Sequence, residues 1–180
     1  MAVPEAKLVD SGNGLEPDGE GWFIVNVADT VSFKHPEAGQ YIRFESLDKA
    51  RFPHYGIGIH VLWPGQPNAM YHAESNQESF MVLEGECRLI VEGEERIMRK
   101  WDFFNCAPMT RHITVGAGDG PCAILMVGAR LPEEDLEYPH DPLAAKYNAE
   151  SPEPTSDPKL AYSELQGEWE PAPFPWPLET

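Results

Sequence analysis

Short β-strand patterns occupy most of this 180-residue chain, and they limit the fold that it can adopt. Between residues 22 and 130, segments of four to eight residues are rich in Val, Ile, Phe and Tyr and are bounded by Gly, Pro, Asn or Asp. No amphipathic pattern of helical length interrupts them. Many short strands at regular spacing are typical of an all-β sandwich or barrel, and not of alternating strands and helices. The nine predicted strands are WFIVNV (22–27), QYIRF (40–44), GIGIHVLW (56–63), SFMVL (79–83), CRLIV (87–91), ERIM (95–98), DFFNC (102–106), HITV (112–115) and CAILMVG (122–128).

The segment VEGEER (91–96) carries a hairpin signal inside this region. Gly93 lies between two alternating runs, and glycine readily adopts the positive φ that a tight hairpin turn requires. The sequence therefore predicts a turn at Gly93 that connects two antiparallel strands.

The residues on either side of the strand-rich region differ from it in composition. Residues 1–21 are rich in Gly, Pro and acidic residues and are predicted to form an extended N-terminal lead-in. Residues 131–180 hold 10 of the 18 prolines, with 12 acidic and 2 basic residues, and a short helix is expected within 157–165. We therefore divide the chain into a lead-in, a barrel over 22–130 and a Pro-rich acidic C-terminal arm.

Aromatic residues in the C-terminal arm argue against a disordered tail, because disordered segments contain few of them. Trp169, Phe174 and Trp176 lie near its end. We expect the arm to wrap around its own barrel or around a partner subunit.

The net charge limits the partners of this chain. Its 13 basic and 30 acidic residues give −17 at pH 7, so nucleic acid or an anionic membrane surface would repel it. The three cysteines are far apart and form no Cys-x-x-Cys pair, which favours reduced thiols in or near the core over disulfides or a structural zinc site. No secretory signal or membrane-spanning run is visible, so we expect a cytoplasmic protein.

Two histidines and two glutamates are the strongest candidates for chemistry. His72 and Glu74 are two residues apart, so on a strand both side chains point to the same face, and Glu78 follows near the start of the next strand. His112 begins another strand after a proline-containing turn. A barrel interior brings such distant residues together, and imidazole and carboxylate groups are ligands that borderline divalent metals prefer. The pattern therefore predicts a divalent-metal site at these residues.

Two motifs in this region resemble those of the cupin superfamily. The first motif is formed by Gly65, His72, Glu74, Glu78 and Gly85. The segment WDFFNCAPMTRHITV (101–115) resembles the second motif, in which a turn that contains a proline precedes a histidine. The resemblance implies a small single-domain cupin with a double-stranded β-helix, or jelly-roll-like, barrel. It also implies one divalent ion per chain (Fe, Mn, Zn or Ni), held by the four candidate residues.

Two departures from the family pattern affect the site. Glu74 stands where the first motif has a second histidine, and Met109 to Arg111 fill the turn where the second motif has a glycine. Glu74 is then either a fourth ligand, which gives a formally neutral site, or a catalytic acid or base beside His72, Glu78 and His112. We favour the ligand role and keep the catalytic one open. The remaining alternative is a barrel without metal, in which the histidines are only hydrogen-bonded.

The other histidines give weaker signals. His60 lies on a predicted strand and could face the pocket, although a structural role is favoured. His35, His54 and His140 lie in loop-like sequence and are predicted to be solvated.

The sequence predicts a site but no substrate, because this fold hosts many unrelated activities. We expect an enzyme that acts on a small polar organic molecule inside the barrel, of the metal-dependent oxygenase or the isomerase or lyase type. The alternative is a non-catalytic cupin that binds or senses a small ligand. Both faces of the predicted strand 79–83 are apolar, so one face is expected to fill the barrel and the other to pack under a second sheet or at a subunit interface. A homodimer is the predicted assembly.

Overall fold

The computed structural model describes residues 2–133 and 135–175, and β-strands dominate it. The strands are β1 (Leu8–Asp10), β2 (Leu15–Pro17), β3 (Val31–His35), β4 (Gly39–Arg43), β5 (Tyr55–Leu62), β6 (Ala73–Glu74), β7 (Glu78–Glu84), β8 (Glu86–Val91), β9 (Glu94–Arg99), β10 (Phe103–Cys106), β11 (His112–Ala117), β12 (Cys122–Ala129), β13 (Leu136–Glu137) and β14 (Glu170–Pro171). The helical segments are a 3-10 helix (Val27–Asp29), α1 (Pro142–Ala145) and α2 (Pro158–Ala161). In the described part of the chain, no helix combines the length and the apolar character needed to cross a membrane.

Two antiparallel sheets form the body of the molecule. The larger has the strand order β10-β7-β12-β5-β4-β3-β14, and the smaller has the order β11-β8-β9. Backbone bridges from Pro67 to Val115 and from His72 to His112 add the segment 67–72 to the outer edge of β11. The chain passes from the larger sheet to the smaller one at Gly85, between β7 and β8. The predicted all-β, jelly-roll-like barrel is confirmed.

The main hydrophobic core contains side chains from both sheets. Phe80 and Val82, which alternate along β7, belong to one buried cluster with Leu89 and Met98 of the smaller sheet. Alternate residues of a strand point to the same face, so this spacing places both β7 side chains inside the barrel. All three cysteines are buried in the cluster as free thiols, as predicted.

A segment near the C-terminus lies against β3 and β4. The two residues of β14 pair with β3, and the buried side chain of Gln40 donates a hydrogen bond of 2.7 Å to the backbone oxygen of Pro173. Phe174 packs against a buried apolar cluster on the outer face of the larger sheet. Trp176, which we expected to contribute to this packing, lies outside the described residues. The arm as one unit over 131–180, the domain boundaries and the homodimer stay predictions.

Eight of the nine predicted strands are present in the part of the chain that the structure describes, and one prediction is wrong. Residues 22–27 form no continuous strand, because Asn26 caps the 3-10 helix. Its side chain accepts a hydrogen bond of 2.9 Å from the backbone N–H of Ala28 and so competes with sheet pairing. The strand that precedes β4 is instead β3, which lies between β4 and β14 and which the sequence analysis missed. His35, at the end of β3, is 1% exposed, so its predicted solvation is also wrong.

The predicted hairpin is confirmed between β8 and β9. Val91 pairs with Glu94, and the two residues between them, Glu92 and Gly93, have φ values of 48° and 74°. Positive φ at both central residues is the geometry of the tight turn that matches the twist of paired strands.

Candidate metal centre

Three of the four candidate residues converge at one end of the barrel interior. His72 lies just before β6, Glu78 begins β7, and His112 begins β11. The backbone of His72 exchanges hydrogen bonds of 2.8 and 3.2 Å with the backbone of His112, which sets the two imidazoles side by side. One potential ligand atom from each of the three residues lies within 4.8 Å of the other two. We call His72, Glu78 and His112 the triad.

Both histidines of the triad are oriented by the same local contact. Nδ1 of His72 lies 2.7 Å from the backbone oxygen of Met70, and Nδ1 of His112 lies 3.0 Å from that of Thr110. A carbonyl oxygen can only accept, so each Nδ1 carries a hydrogen, and Nε2 is the ring atom that bears the lone pair when the imidazole is neutral. Metal-binding histidines commonly donate their second ring N–H to a backbone carbonyl in this way. The geometry therefore prepares both Nε2 atoms as metal ligands.

The contact between Glu78 and His112 favours a positive charge between them. Glu78 Oε2 and His112 Nε2 are 3.3 Å apart, and both are buried without a hydrogen-bond partner among the described residues. Burial lowers the pKa of His112, but contacts with Cys106 and Glu78 raise it by a larger amount. The pKa of His112 therefore rises from the ordinary value of 6.5 to about 10. A proton or a cation between Glu78 Oε2 and His112 Nε2 removes the repulsion between the lone pairs of these two atoms. A divalent ion fits this site.

The donor set of the triad suits a borderline divalent metal. Two imidazoles and one carboxylate form the ligand set of non-haem iron sites, and three protein ligands are also usual for catalytic zinc. Such ions take at least four ligands, so the triad leaves coordination positions for water or a substrate. The residues present do not distinguish Fe, Mn, Zn and Ni.

Glu74 lies in the same cavity wall but not in the cluster of three. It belongs to the two-residue strand β6, where it pairs with Leu136 of β13. The cluster whose ligand atoms lie within 4.8 Å consists of His72, Glu78 and His112 alone among the described candidates. The ligand role and the acid or base role of Glu74 both stay predictions.

A cavity of about 350 Å³ opens beside the triad. Sequence reasoning identified some of its polar side chains and missed others. His60, for which a structural role was favoured, lies in the wall of this cavity. The polar residues of the wall that the sequence analysis did not identify are Tyr41, Glu45, Arg130, Tyr138 and Tyr162. A larger cavity of about 690 Å³ is lined by residues within 10–15, 28–30 and 171–174 and contains none of the candidate ligands.

Met109 occupies the turn before His112 in a conformation that glycine adopts more easily. Its φ is 62° and its side chain is 42% exposed. The left-handed region costs an ordinary residue about 1–2 kcal/mol, and the greater freedom of glycine in the unfolded chain offsets part of this. We expect Met109→Gly to raise the free energy of unfolding by about 0.5–1 kcal/mol, measured by urea denaturation.

The reverse exchange at Gly93 is the control for Met109→Gly. Gly93 also has a positive φ, and a Cβ there would come no closer than 3.9 Å to another residue, so Gly93→Ala tests conformation without a clash. Its free energy of unfolding should fall by about 1 kcal/mol. Equal stability of Met109→Gly and wild type, with the expected loss at Gly93, would mean that the Met109 side chain makes compensating contacts.

Comparison with known families agrees with this fold and site. The family model for the Cupin domain matches residues 58–128, which run from β5 to β12 and include the triad. No curated protein matches the chain. The fold and the His–Glu–His cluster define a cupin barrel with a candidate metal site. Over residues 58–128 the chain is similar to the Cupin domain.

Solved structures with a similar fold have low sequence identity to this chain. Polyketide cyclase RemF from Streptomyces resistomycificus is 15% identical with a TM-score of 0.53, and the match covers 63% of this chain and 83% of that one. An RmlC-like cupin from Shewanella frigidimarina NCIMB 400 is 15% identical with a TM-score of 0.51, with coverages of 63% and 95%. A sugar phosphate isomerase of the cupin superfamily from Silicibacter pomeroyi DSS-3 is 25% identical with a TM-score of 0.49. That match covers 56% of this chain and 64% of the isomerase, less than two thirds of its length.

Proposed function

We propose that this protein is a metal-dependent enzyme that acts on a small polar organic molecule in the cavity beside the triad. The reaction is of the isomerase or lyase type, or of the oxygenase type. The observation that carries the proposal is the joint orientation of His72 and His112. Nδ1 of each imidazole contacts a backbone oxygen, Glu78 Oε2 lies 3.3 Å from His112 Nε2, and one ligand atom from each of the three residues lies within 4.8 Å of the other two.

The residues around the triad support catalysis more than storage of an ion. Phe80 and Phe104 pack at centroid distances of 5.2 and 5.8 Å from the His112 ring, so this ligand is held in an apolar setting that excludes water. Glu74 adds a carboxylate to the wall of the cavity, where it is the candidate to take or give a proton. A bound divalent ion would supply Lewis-acid polarisation of a substrate oxygen or activation of dioxygen.

The named activities of structural neighbours do not select a reaction. A cyclase and an isomerase have the same barrel, and unrelated chemistry on one fold is common. The alternative function, a non-catalytic cupin that binds or senses a small ligand, uses the same cavity and metal. Conversion of a bound molecule into a product would distinguish the enzyme from the non-catalytic binding or sensing protein.

Elemental analysis of protein purified without a metal-chelating column tests the proposal. We expect close to one divalent ion per chain. Iron or manganese would direct activity assays to oxygen consumption and isomerisation, and zinc or nickel to isomerisation and elimination. A protein that holds no divalent ion after dialysis against each of the four would contradict the proposal. Stoichiometric metal with ligand binding but no turnover would favour the sensing alternative.

A further inference from the structure

We propose that the cavity takes a small uncharged molecule with hydroxyl or carbonyl groups, and that His60 and Tyr41 bind the part of it that does not reach the metal. This inference rests on the proposed function, because it places the ligand beside the triad. It adds the charge class of the ligand and names two residues that select it.

Arg130 is the only arginine or lysine in the described cavity wall, and its charge is already compensated. Nη1 and Nη2 of Arg130 lie 2.9 and 2.5 Å from the two carboxylate oxygens of Glu45. Nη1 also donates a hydrogen bond of 2.6 Å to the backbone oxygen of Phe52. Because both Nη groups of this guanidinium already donate to Glu45, they cannot also form the paired hydrogen bonds that would bind a phosphate or carboxylate ligand.

The remaining charges of the cavity favour an uncharged ligand. Glu74 and Glu78 bring two carboxyl groups to the wall, and Arg130, paired with Glu45, brings no uncompensated positive charge to it. An anionic ligand would therefore add uncompensated charge to a partly desolvated cavity. The net charge of −17 on the whole chain also opposes the approach of anions.

His60 provides a polar group without a charge. Its ring lines the cavity, and its buried Nδ1 has no hydrogen-bond partner among the described residues. Burial lowers the pKa of His60 to about 4, so the imidazole is neutral and can donate with one nitrogen and accept with the other. An unpaired buried nitrogen has a free-energy cost, which a ligand hydroxyl or carbonyl would remove.

Tyr41 and His60 form one surface at a distance from the triad. Their ring centroids are 5.0 Å apart, and the two residues are paired across β4 and β5. On β5, His60 lies four residues beyond Gly56, the residue in register with Gly128 and Glu78. A ligand that binds both the metal and His60 therefore needs at least two oxygen groups, one at each end.

Two glycines of β5 make room for this arrangement. A Cβ at Gly58 would lie 2.8 Å from the Tyr41 ring, and one at Gly56 would lie 3.1 Å from Nη2 of Arg130. Without side chains at these positions, Tyr41 and Arg130 lie along the strand and the cavity stays open. Its volume of about 350 Å³ suits a small molecule.

Binding of matched probes to zinc-loaded protein tests the inference. The probes are six-carbon compounds in uncharged, carboxylate and phosphorylated forms, such as glucose with gluconate and glucose 6-phosphate. Affinities are measured by ligand-observed NMR titration. We expect uncharged forms to bind at least about tenfold more tightly than charged ones. His60→Phe should weaken that binding about tenfold or more, with Tyr41→Phe as a second variant that removes only a hydroxyl.

Two further variants complete the design. His54→Phe changes an exposed histidine outside the cavity and should leave binding unchanged. Glu45→Gln keeps the size of the side chain, but its amide nitrogen cannot accept a hydrogen bond and its charge is lost, so Arg130 is left uncompensated and the affinity for phosphorylated probes should rise about tenfold. Thermal unfolding of each variant establishes that it is folded.

The outcomes separate this inference from the proposed function. Protein that retains no metal contradicts the proposed function. Protein with metal contradicts the inference alone in any of three cases: charged forms bind as tightly as uncharged ones, no uncharged probe binds at millimolar concentration, or folded His60→Phe and Tyr41→Phe both bind like wild type.

Discussion

His112→Ala is expected to abolish stoichiometric metal binding while leaving a folded barrel. The substitution removes Nε2, one of three atoms that converge within 4.8 Å, and it also frees the oxygen of Thr110 that orients the ring. Loss of an outer partner of a metal ligand already costs 10–100-fold in affinity, so loss of the ligand itself should cost at least about hundredfold. The core cluster of Phe80, Val82 and Leu89 is formed by other residues, so the fold does not require the ion.

Metal content by elemental analysis and folding by circular dichroism check this prediction together. His54→Ala is the matched control, because it removes an exposed imidazole that lies outside the cavity. We expect the control to keep its metal. If His112→Ala binds as much metal as the control, His112 is not a ligand and the triad is wrongly assigned.

The strands were predictable because their signal is local. The strands β7 and β8 are short runs rich in Phe, Val, Leu and Ile, and Gly85 and Gly93 mark the turns that follow them. Residues 22–27 show the limit of this reasoning. Their composition favours a strand, but one hydrogen bond from Ala28 to the Asn26 side chain, together with packing outside the segment, directs the chain differently.

The site was predictable only as a set of candidates. Motif spacing places His72, Glu78 and His112 on strands of one barrel, and the structure brings their side chains together. Motif spacing could not decide the role of Glu74. The direction of the Glu74 side chain depends on the pairing of β6 with β13, which lies more than sixty residues further along the chain. Pairing over such separations has no local signature.

Arg130 and Glu45 left no signal in the sequence at all. They are 85 residues apart, and neither belongs to a motif. Their association depends on the register between β12 and β5, which carries Arg130 towards the loop after β4. The backbone N–H of Phe52 completes the cluster with a hydrogen bond of 2.6 Å to Glu45.

Arg130→Met is expected to lower the free energy of unfolding by about 3–5 kcal/mol at neutral pH. The carboxylate of Glu45 is 2% exposed, and without the guanidinium its negative charge stays buried with the N–H of Phe52 as its one remaining hydrogen-bond donor in the described part of the chain. Removing both charges, as in Glu45→Leu with Arg130→Met, should recover most of the loss, because it leaves no unpaired charge. Urea denaturation measures both. The control Arg96→Met breaks an exposed ion pair with Glu94 and should change stability by less than about 1 kcal/mol.

The pH dependence of Arg130→Met should have the opposite sign to that of wild type. Burial raises the pKa of Glu45, but hydrogen bonds from Arg130 and Phe52 lower it more, so the folded-state pKa lies below the ordinary value of 4.5. In wild type, the stabilisation by Glu45 is complete above the unfolded-state pKa and is lost as the pH falls through the lower folded-state pKa. In the variant, burial dominates and raises the pKa, so protonation of Glu45 on acidification removes the penalty. The difference in unfolding free energy between wild type and Arg130→Met should therefore become smaller as the pH falls from neutral to about 4. If this difference stays constant over the same range, Glu45 is not the group that the substitution leaves unpaired.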